Sequence, residues 1–321
     1  MRNNHYTMVA RNAIKEALKT VDSKANIGIG CSGGADSMAL LVALATLYTK
    51  ERAKQVHVII VDHRLQEVTK EVAERTARVA KNFGFNAHIA TVEVPETQYG
   101  AEADARTARY DAFQRAIDFH DLQAFMTAHT KNDQAEQVFL GLLRGSGTRS
   151  LAGIPEQRGV FIRPFVNTLS REGTQQVCIE NKMSYWNDPH NKSLKYKRVA
   201  IRKLIDDTER YAQQDIVEPL SRTAQISSED AEALDMYAAI AYSNLEAQDW
   251  SIDALKNVPK AVRKRTYRMK ILELGARTDS VTFDLTNRVD DLVVNYNGQG
   301  AISFSEGITV SRKGKALHFV K

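Results

Sequence analysis

Short apolar runs alternate with segments of helical spacing through the first half of the chain. Four runs bounded by polar residues predict strands, at residues 26–31, 56–61, 88–92 and 124–127. Three intervening segments have apolar residues three and four positions apart and predict helices, at residues 36–50, 70–83 and 103–119. A fifth strand is predicted at residues 160–162. Strands that alternate with helices in this way form a parallel sheet covered on both faces, so we predict a Rossmann-like α/β fold.

The pattern changes after Arg202. Residues 207–274 have helical spacing and few strand signals. From residue 281 a short helical segment precedes three apolar runs that predict a small terminal sheet, at residues 302–304, 308–311 and 316–320. We therefore predict two domains, a Rossmann-like one at residues 1–207 and a helical, then small mixed α/β one at residues 208–321.

The amino-acid composition argues against several classes of protein. The 321 residues include two cysteines, Cys31 and Cys178, which lie far apart and form no Cys-x-x-Cys motif. This usage argues against a disulfide scaffold, a zinc ribbon or an iron–sulfur centre, and it suits a cytoplasmic protein. Residues 1–12 are polar, so no secretory signal is expected. The longest apolar run, at residues 38–48, is too short to cross a membrane, and no membrane partner is expected.

Positive charge is concentrated in two places, although the formal net charge is only +5. Residues 192–203 and residues 259–270 each contain six basic and no acidic side chains. Such clusters attract the phosphate backbone of a nucleic acid. A solvated helix face would have the same composition, so the two interpretations stay open.

A glycine-rich loop follows the first predicted strand and opens the next helix. Its sequence is Ser-Gly-Gly-Ala-Asp-Ser, formed by Ser32, Gly33, Gly34, Ala35, Asp36 and Ser37. Glycines let the backbone approach an anion, and the free amides at a helix start favour phosphate. Asp36 would repel bare phosphate, so its expected role is to hold a magnesium ion between phosphates. The alternative is a simple Ser/Gly turn that caps a helix.

This loop resembles the PP-loop of enzymes that cleave ATP between its α and β phosphates. Three further segments are similar to the tRNA(Ile)-lysidine synthetases: Val-Asp-His-Arg-Leu at 61–65, Ala-Arg-Thr-Ala-Arg-Tyr at 105–110, and the block from Thr-Ala-His at 127 to Leu-Leu-Arg-Gly-Ser-Gly at 142–147. The chain departs from the family pattern at five positions, namely Arg64, Thr130, Asn132, Gln137 and Val199. The resemblance is strong to about Arg202 and looser beyond.

The resemblance implies a reaction and its partners. Members of this family use ATP and Mg²⁺ to join L-lysine to the wobble cytidine of an isoleucine tRNA with a CAU anticodon, and they release AMP and pyrophosphate. Residues 1–207 would then be the PP-loop ATP-binding catalytic domain, and residues 208–321 would bind tRNA. The resemblance leaves open whether the protein forms a homodimer.

It also implies candidate site residues. Those expected in catalysis are Asp36, His129, Asp133 and Glu136, with Asp36 as the metal ligand. Those expected to bind ATP are the six loop residues together with Asp62, Arg106 and Arg109. Those expected to bind lysine or tRNA are Asp133, Glu136, Arg198, Arg202, Arg263, Lys264 and Arg265.

Spacing supports part of this assignment and leaves alternatives. Arg106 and Arg109 are three apart, so on a helix they share a face; the alternative is a surface ion pair with a nearby acid. His129, Asp133 and Glu136 fall at i, i+4 and i+7, so one helix would present all three together. Asp62, at a strand end, would meet a nucleotide or cap its own loop.

Two other functions remain open. Another PP-loop enzyme, for tRNA thiolation, GMP synthesis or NAD synthesis, would share the loop, but thiolation enzymes usually need paired cysteines. A catalytically inactive tRNA-binding protein would share the fold. The intact loop and the Asp133/Glu136 pair favour an enzyme.

Overall fold

The chain folds into two compact units, Met1–Ser228 and Glu229–Lys321. The computed structural model describes residues 4–64, 67–95, 97, 100–145, 147–187, 197–246 and 249–321. Each unit has its own apolar core. The predicted boundary at residue 207 falls within a helix of the first unit, Lys197–Ala212. The division of functions between the two predicted domains stays a prediction.

A six-stranded sheet forms the centre of the first unit. Its strands are β1 (Ile27–Gly30), β2 (Val56–Asp62), β3 (Asn86–Thr91), β4 (Ala124–Met126), β5 (Gln157–Arg158) and β6 (Phe161–Ile162). Their order is β3-β2-β1-β4-β6-β5, and every pairing is parallel except that of β5 with β6. The Rossmann-like fold and its five predicted strands are therefore confirmed, with β5 added at the edge.

Helices cover the sheet of the first unit. They are α1 (His5–Ala17), α2 (Ala35–Leu47), α3 (Lys50–Ala53), α4 (Glu67–Asn82), α5 (Ala101–His120), α6 (Lys131–Leu143), α7 (Thr148–Leu151), α8 (Arg171–Glu180) and α9 (Lys197–Ala212). A longer helix, α10 (Val217–Glu246), runs from the first unit into the residues of the second. Among the described residues, none of these helices combines the length and the apolar character that a membrane span requires.

Helix α2 fixes the position of the glycine-rich loop. Its residues 37–44 are all buried, so the helix is surrounded by protein on every side. Strand β1 leads directly into it, with Ile27 and Ile29 fully buried. A loop between a buried strand and a buried helix has little freedom to move, and its backbone is therefore held in one conformation.

The second unit is smaller and mixed. It contains α11 (Ile252–Asn257), α12 (Lys260–Glu273), α13 (Phe283–Val294) and the strands β7 (Ile302–Ser303), β8 (Thr309–Lys313) and β9 (Ala316–Val320). The strands form an antiparallel sheet in the order β7-β8-β9, which confirms the predicted terminal sheet. Helices α12 and α13 contribute Tyr267, Ile271 and Leu292 to its core.

Arg263 of α12 is part of this core, although the sequence suggested a tRNA contact. The residue is 5% exposed, and its Nε and Nη2 donate to the two carboxylate oxygens of Asp290 at 2.6 and 3.1 Å. A guanidinium committed to a buried bidentate pair has no free edge for a phosphate, so the burial argues against the predicted role. Lys264 donates to Asn287 Oδ1 at 2.5 Å, and Arg265 donates to Asp235 at 3.1 Å.

Candidate active site

The glycine-rich loop adopts a backbone that its glycines make possible. Gly33 has φ +81°, in the left-handed region that side chains disfavour. A Cβ at this position would lie 2.7 Å from Thr76 Oγ1 and 2.8 Å from Val72 Cγ1, both on α4. Conformation and space therefore both require glycine at position 33.

Hydrogen bonds hold the rest of the loop in shape. The backbone amide of Ser32 donates to Ser37 Oγ at 3.1 Å, and the Ser37 hydroxyl donates to the carbonyl of Gly34 at 3.0 Å. Trp186, which follows α8, donates its backbone amide to the carbonyl of Gly33 at 2.9 Å. No side chain caps the start of α2 at Gly34, so the first amides of this helix remain suited to an anion.

A cavity of about 690 Å³ opens above the carboxyl ends of β1, β2 and β4. This is the edge at which open parallel sheets bind ligands. Its wall includes most of the predicted site residues, namely Ser32, Gly34, Ala35, Asp36, Ser37, Arg106, Arg109, His129, Asp133, Arg198 and Arg202. Trp186, Gln175 and Arg171 also line it, and neither Gln175 nor Arg171 was a candidate from the sequence.

Asp36 is a carboxylate held in an unfavourable environment. Its Oδ1 accepts a hydrogen bond of 2.5 Å from the hydroxyl of Thr174 on α8. Burial raises the pKa of Asp36 from 3.8 to about 6, and the charge of Asp133 adds to the rise, against the opposing effects of Thr174, Arg171 and Arg202. A cation bound at this carboxylate would reverse the shift.

His129 precedes α6 rather than belonging to it. The helix begins at Lys131 with Thr130 as its N-cap, so the predicted single helical face for His129, Asp133 and Glu136 is wrong for the histidine. His129 Nδ1 instead lies 2.9 Å from Thr127 Oγ1. Burial lowers the pKa of His129 to about 4, with nearby arginines opposing protonation as well, so the ring is neutral at pH 7.

Asp133 has two functions in the structure. Its Oδ2 accepts from the amide of Thr130 at 2.8 Å and from the Thr130 hydroxyl at 3.0 Å, which forms a capping box at the start of α6. Its Oδ1 lies 3.8 Å from a nitrogen of Arg171 and 4.0 Å from one of Arg202. Although burial opposes ionisation, the pKa of Asp133 is lowered by His129, the two arginines and the Thr130 amide.

Glu136 is buried between two arginines. The residue is 3% exposed, and its Oε1 accepts from Arg202 Nε at 2.6 Å and from Arg171 Nη2 at 3.1 Å. Two guanidinium partners hold this buried carboxylate in place. We call the four residues Asp133, Glu136, Arg171 and Arg202 the acid–arginine cluster.

Arg171 joins this cluster because of the way α8 begins. Ser170 caps the helix by accepting from the amide of Gly173 at 3.1 Å, and Arg171 is the first helical residue. Asn132 Oδ1 accepts from the backbone amide of Arg171 at 2.8 Å and so joins α6 to α8. Asn132 departs from the family pattern, and the structure gives it this connecting role. A serine cap is visible in the sequence, but the partner of the arginine is not.

Arg106, Arg109 and Arg198 bring further positive charge to the cavity. The first two lie on α5, as predicted, and Arg106 stacks 4.8 Å from the ring centre of Tyr110. Glu102, also on α5, forms an ion pair with Arg198, in which Oε1 lies 3.4 Å from Nε. Desolvation at the cavity wall lowers the pKa of Arg109, and the nearby charges of Arg106 and Arg198 lower it further, although the residue is exposed.

The carboxylate of Asp62 accepts hydrogen bonds from residues that follow it closely in the chain. It is 6% exposed, and its Oδ1 accepts from the amide of Arg64 at 3.0 Å and from Thr69 Oγ1 at 2.9 Å. These bonds match the loop-capping alternative, and Asp62 is not among the residues that line the cavity. Of the first basic cluster, at residues 192–203, residues 192–196 lie outside the described residues.

Comparison with known proteins identifies the family. A family model described as a PP-loop domain matches residues 6–208. The tRNA(Ile)-lysidine synthase of Thermobifida fusca is 34% identical over 92% of this chain and 91% of its own length. That of Streptomyces coelicolor is 36% identical over 90% of this chain and 83% of its own length. That of Salinispora arenicola is 34% identical over 97% of this chain and 95% of its own length.

A solved structure extends the comparison to the fold alone. A U34-tRNA thiolase, NcsA, from Methanococcus maripaludis with its 4Fe-4S cluster superposes with a TM-score of 0.57. The match covers 70% of this chain and 78% of that one at 12% identity. The PP-loop domain and the identity to the synthases over most of both lengths show that this chain is an ATP-using member of the tRNA(Ile)-lysidine synthase family.

Proposed function

We propose that this protein ligates L-lysine to the wobble cytidine of a CAU-anticodon isoleucine tRNA, with ATP converted to AMP and pyrophosphate. The observation that carries the proposal is that one cavity is lined by the phosphate loop and by Asp133, Arg171 and Arg202 of the acid–arginine cluster, whose fourth member, Glu136, is bonded to both arginines. The first suits ATP, and the second offers charged groups for an amino acid.

The chemistry requires two steps because a carbonyl oxygen is a poor leaving group. In the first, the 2-oxygen of cytidine attacks the α-phosphorus of ATP, and the bond to pyrophosphate breaks. In the second, the amine of lysine attacks C2, the carbon–oxygen bond breaks, and AMP leaves with the oxygen. The amine loses a proton to complete the substitution.

The loop and two arginines are the groups we assign to ATP. The free amides at the start of α2 and the hydroxyls of Ser32 and Ser37 suit phosphate oxygens. Arg106 and Arg109 line the same cavity from α5 and would neutralise the charge that develops on the leaving pyrophosphate.

Asp36 is the residue we assign to magnesium. The fit rests on its environment, because a carboxylate whose pKa is raised by burial gains most from a bound cation. Carboxylate oxygen is also a ligand type that Mg²⁺ prefers. When bound, the ion would neutralise negative charge on the phosphates. The Thr174 hydroxyl would keep the Asp36 carboxylate oriented through its 2.5 Å hydrogen bond.

We assign the binding of lysine to the acid–arginine cluster. Glu136 Oε1 is already bound by two arginines, whereas Asp133 Oδ1 has guanidinium nitrogens only at 3.8 and 4.0 Å. We therefore assign the ammonium of lysine to Asp133, with Glu136 as a second, more rigid charge. A carboxylate with a lowered pKa binds an ammonium well and accepts a proton poorly, which favours binding over base catalysis for Asp133.

His129 and the remaining basic residues complete the proposal. A neutral His129 ring offers one hydrogen bond to the α-phosphate or the adenylated base without adding charge. Arg198, Arg202, Lys264 and Arg265 are proposed to contact tRNA phosphates, and Arg263 is omitted because it is buried. The tRNA-binding role of residues 208–321 and a homodimer remain predictions.

The proposal is tested by product analysis with purified protein, MgATP and labelled lysine. Isoleucine tRNA with a CAU anticodon is the substrate, and elongator methionine tRNA is the matched control because it has the same anticodon. We expect lysine in the first tRNA only, with AMP and pyrophosphate formed. AMP release with another acceptor would keep the PP-loop chemistry and reject the substrate. tRNA binding without any ATP cleavage would indicate an inactive RNA-binding protein.

A further inference from the structure

Three histidines meet at the end of the sheet opposite the cavity. His57 lies near the start of β2, His88 lies in β3, and His120 ends α5. His57 Nδ1 is 3.2 Å from His88 Nε2, and the ring centre of His120 is 4.3 Å from that of His57 and 4.4 Å from that of His88. All three side chains are partly buried.

Sheet register places these rings on one face. His88 pairs with Ile59, which is two residues after His57 on the parallel strand β2. Residues two apart on a strand point to the same side, so His57 and His88 are neighbours on the face that Ile59 occupies. Helix α5 covers that face through Phe113 and Ile117, which pack with Ile59, and its last turn brings His120 to the pair.

The distances suit a metal ion. Two imidazole nitrogens bound to one tetrahedral zinc ion at about 2.0–2.1 Å lie about 3.3 Å apart. The separation of 3.2 Å between His57 and His88 is close to this value. One nitrogen from each of the three rings lies within 4.8 Å of the other two, so small ring rotations would bring the third into range. Among the described residues, no other group of three potential ligands meets this distance condition.

We propose that His57, His88 and His120 form a binding site for a divalent transition metal of the zinc class, with water at the fourth position. Three imidazole nitrogens are a donor set that such ions favour over Mg²⁺. The site is separate from the ATP cavity and does not depend on the proposed ligase function.

The surroundings of His57 and His88 favour the neutral form of these two rings. Burial lowers the pKa of His57 to about 4, and the two neighbouring histidines lower it further. Burial, His120 and Lys81 lower the pKa of His88. A metal ion binds the neutral form of an imidazole ring. The carboxyl end of α5 also favours a cation, whereas the charge of Lys81 opposes one.

The bound metal would join three elements of the first unit. It would link β2, β3 and α5 at the amino ends of the strands, while the cavity lies beyond their carboxyl ends. Its expected effect is therefore on stability and not on the reaction. Without the ion, the same rings would form a hydrogen-bonded and stacked cluster.

The test uses full-length, tag-free protein stripped of metal by a chelator and titrated with Co²⁺ at pH 7.5. Tetrahedral cobalt gives strong visible absorption bands, and Zn²⁺ should abolish them by displacement. We expect one equivalent of Co²⁺ and a higher melting temperature with Zn²⁺. His88→Gln and His120→Gln should each weaken binding at least about tenfold. His5→Gln and His318→Gln, at exposed positions, are the matched controls and should bind as the parent does.

Each outcome decides the proposal. Parent protein without tetrahedral bands would overturn it, whatever the behaviour of the variants. Bands that persist in His88→Gln and His120→Gln would also overturn it, because the ion would then sit elsewhere. Lysine incorporation should be unchanged in these variants, so failure of the metal site and failure of the ligase proposal give different results.

Discussion

Replacing Asp36 with asparagine should increase stability while it removes activity. In the free protein the carboxylate is partly buried, and desolvation raises its pKa from 3.8 to about 6. This difference corresponds to about 3 kcal/mol of unfavourable free energy for the ionised form at neutral pH. Asparagine has the same shape and a carbonyl oxygen that can accept from Thr174, so the variant loses the charge and keeps the packing.

The direction of the Asp36 pKa shift determines how its contribution to stability changes with pH. Because the folded state has the higher pKa, it binds more protons than the unfolded state between pH 3.8 and about 6. The contribution of Asp36 to stability therefore falls as pH rises through that window and stays low above it. The free energy of unfolding of Asp36→Asn should exceed that of the parent by up to about 3 kcal/mol at pH 7.5, and the difference should vanish below pH 4.

The assay is urea denaturation of both proteins without nucleotide or metal at several pH values, alongside AMP release with MgATP and tRNA. We expect AMP release to fall by about a hundredfold or more in Asp36→Asn. Asp62→Asn is the control, because this carboxylate caps a loop and its loss should bring no gain in stability. An Asp36→Asn protein that is no more stable than the parent at pH 7.5 would refute the reasoning.

Four other substitutions test the phosphate loop, two arginines of α12 and the lysine site. Gly33→Ala should abolish AMP release because its Cβ would lie 2.7 Å from a hydroxyl oxygen, whereas Gly159→Ala, at φ +58° with open space, should retain it. Arg263→Ala should lower the free energy of unfolding by about 3–5 kcal/mol and leave the salt dependence of tRNA binding unchanged. Arg265→Ala should reduce that salt slope by about one, and an unchanged slope would make the residue only part of a solvated face. Glu136→Gln should raise the KM for lysine more than that for ATP in steady-state kinetics, and an equal rise would contradict its assignment to lysine.

The fold was predictable because its signals are local. Buried apolar runs between polar turns mark the strands of the parallel sheet, and a glycine-rich sequence marks the loop before α2. Helix α1 was not predicted. Its start is stabilised by the carboxylate of Glu180, which accepts from the amides of Tyr6 and Thr7 at 3.1 and 2.8 Å. A partner more than 170 positions away leaves no local pattern.

The site was predictable only in part, for the same reason. The loop, Asp133 and Glu136 were found through contiguous motifs. Arg171 was missed because nothing near it in the sequence indicates that it donates to Glu136, 35 positions away. The helical spacing of His129 was misleading because Thr130 is the N-cap of α6, so the helix begins at Lys131, two residues after the histidine. Contacts between distant segments depend on the fold, and the sequence pattern does not contain them.

The proposed reaction is the formation of lysidine in this cavity, with ATP cleaved to AMP and pyrophosphate. The most direct measurement is nucleoside analysis by mass spectrometry of CAU-anticodon isoleucine tRNA after reaction with MgATP and lysine, with AMP counted in parallel. We predict that the wobble cytidine gains one lysine with loss of water, with one AMP per modified nucleoside, and that Asp36→Asn yields neither product. Unmodified cytidine at that position, or modification equal in the Asp36→Asn protein, would contradict the account.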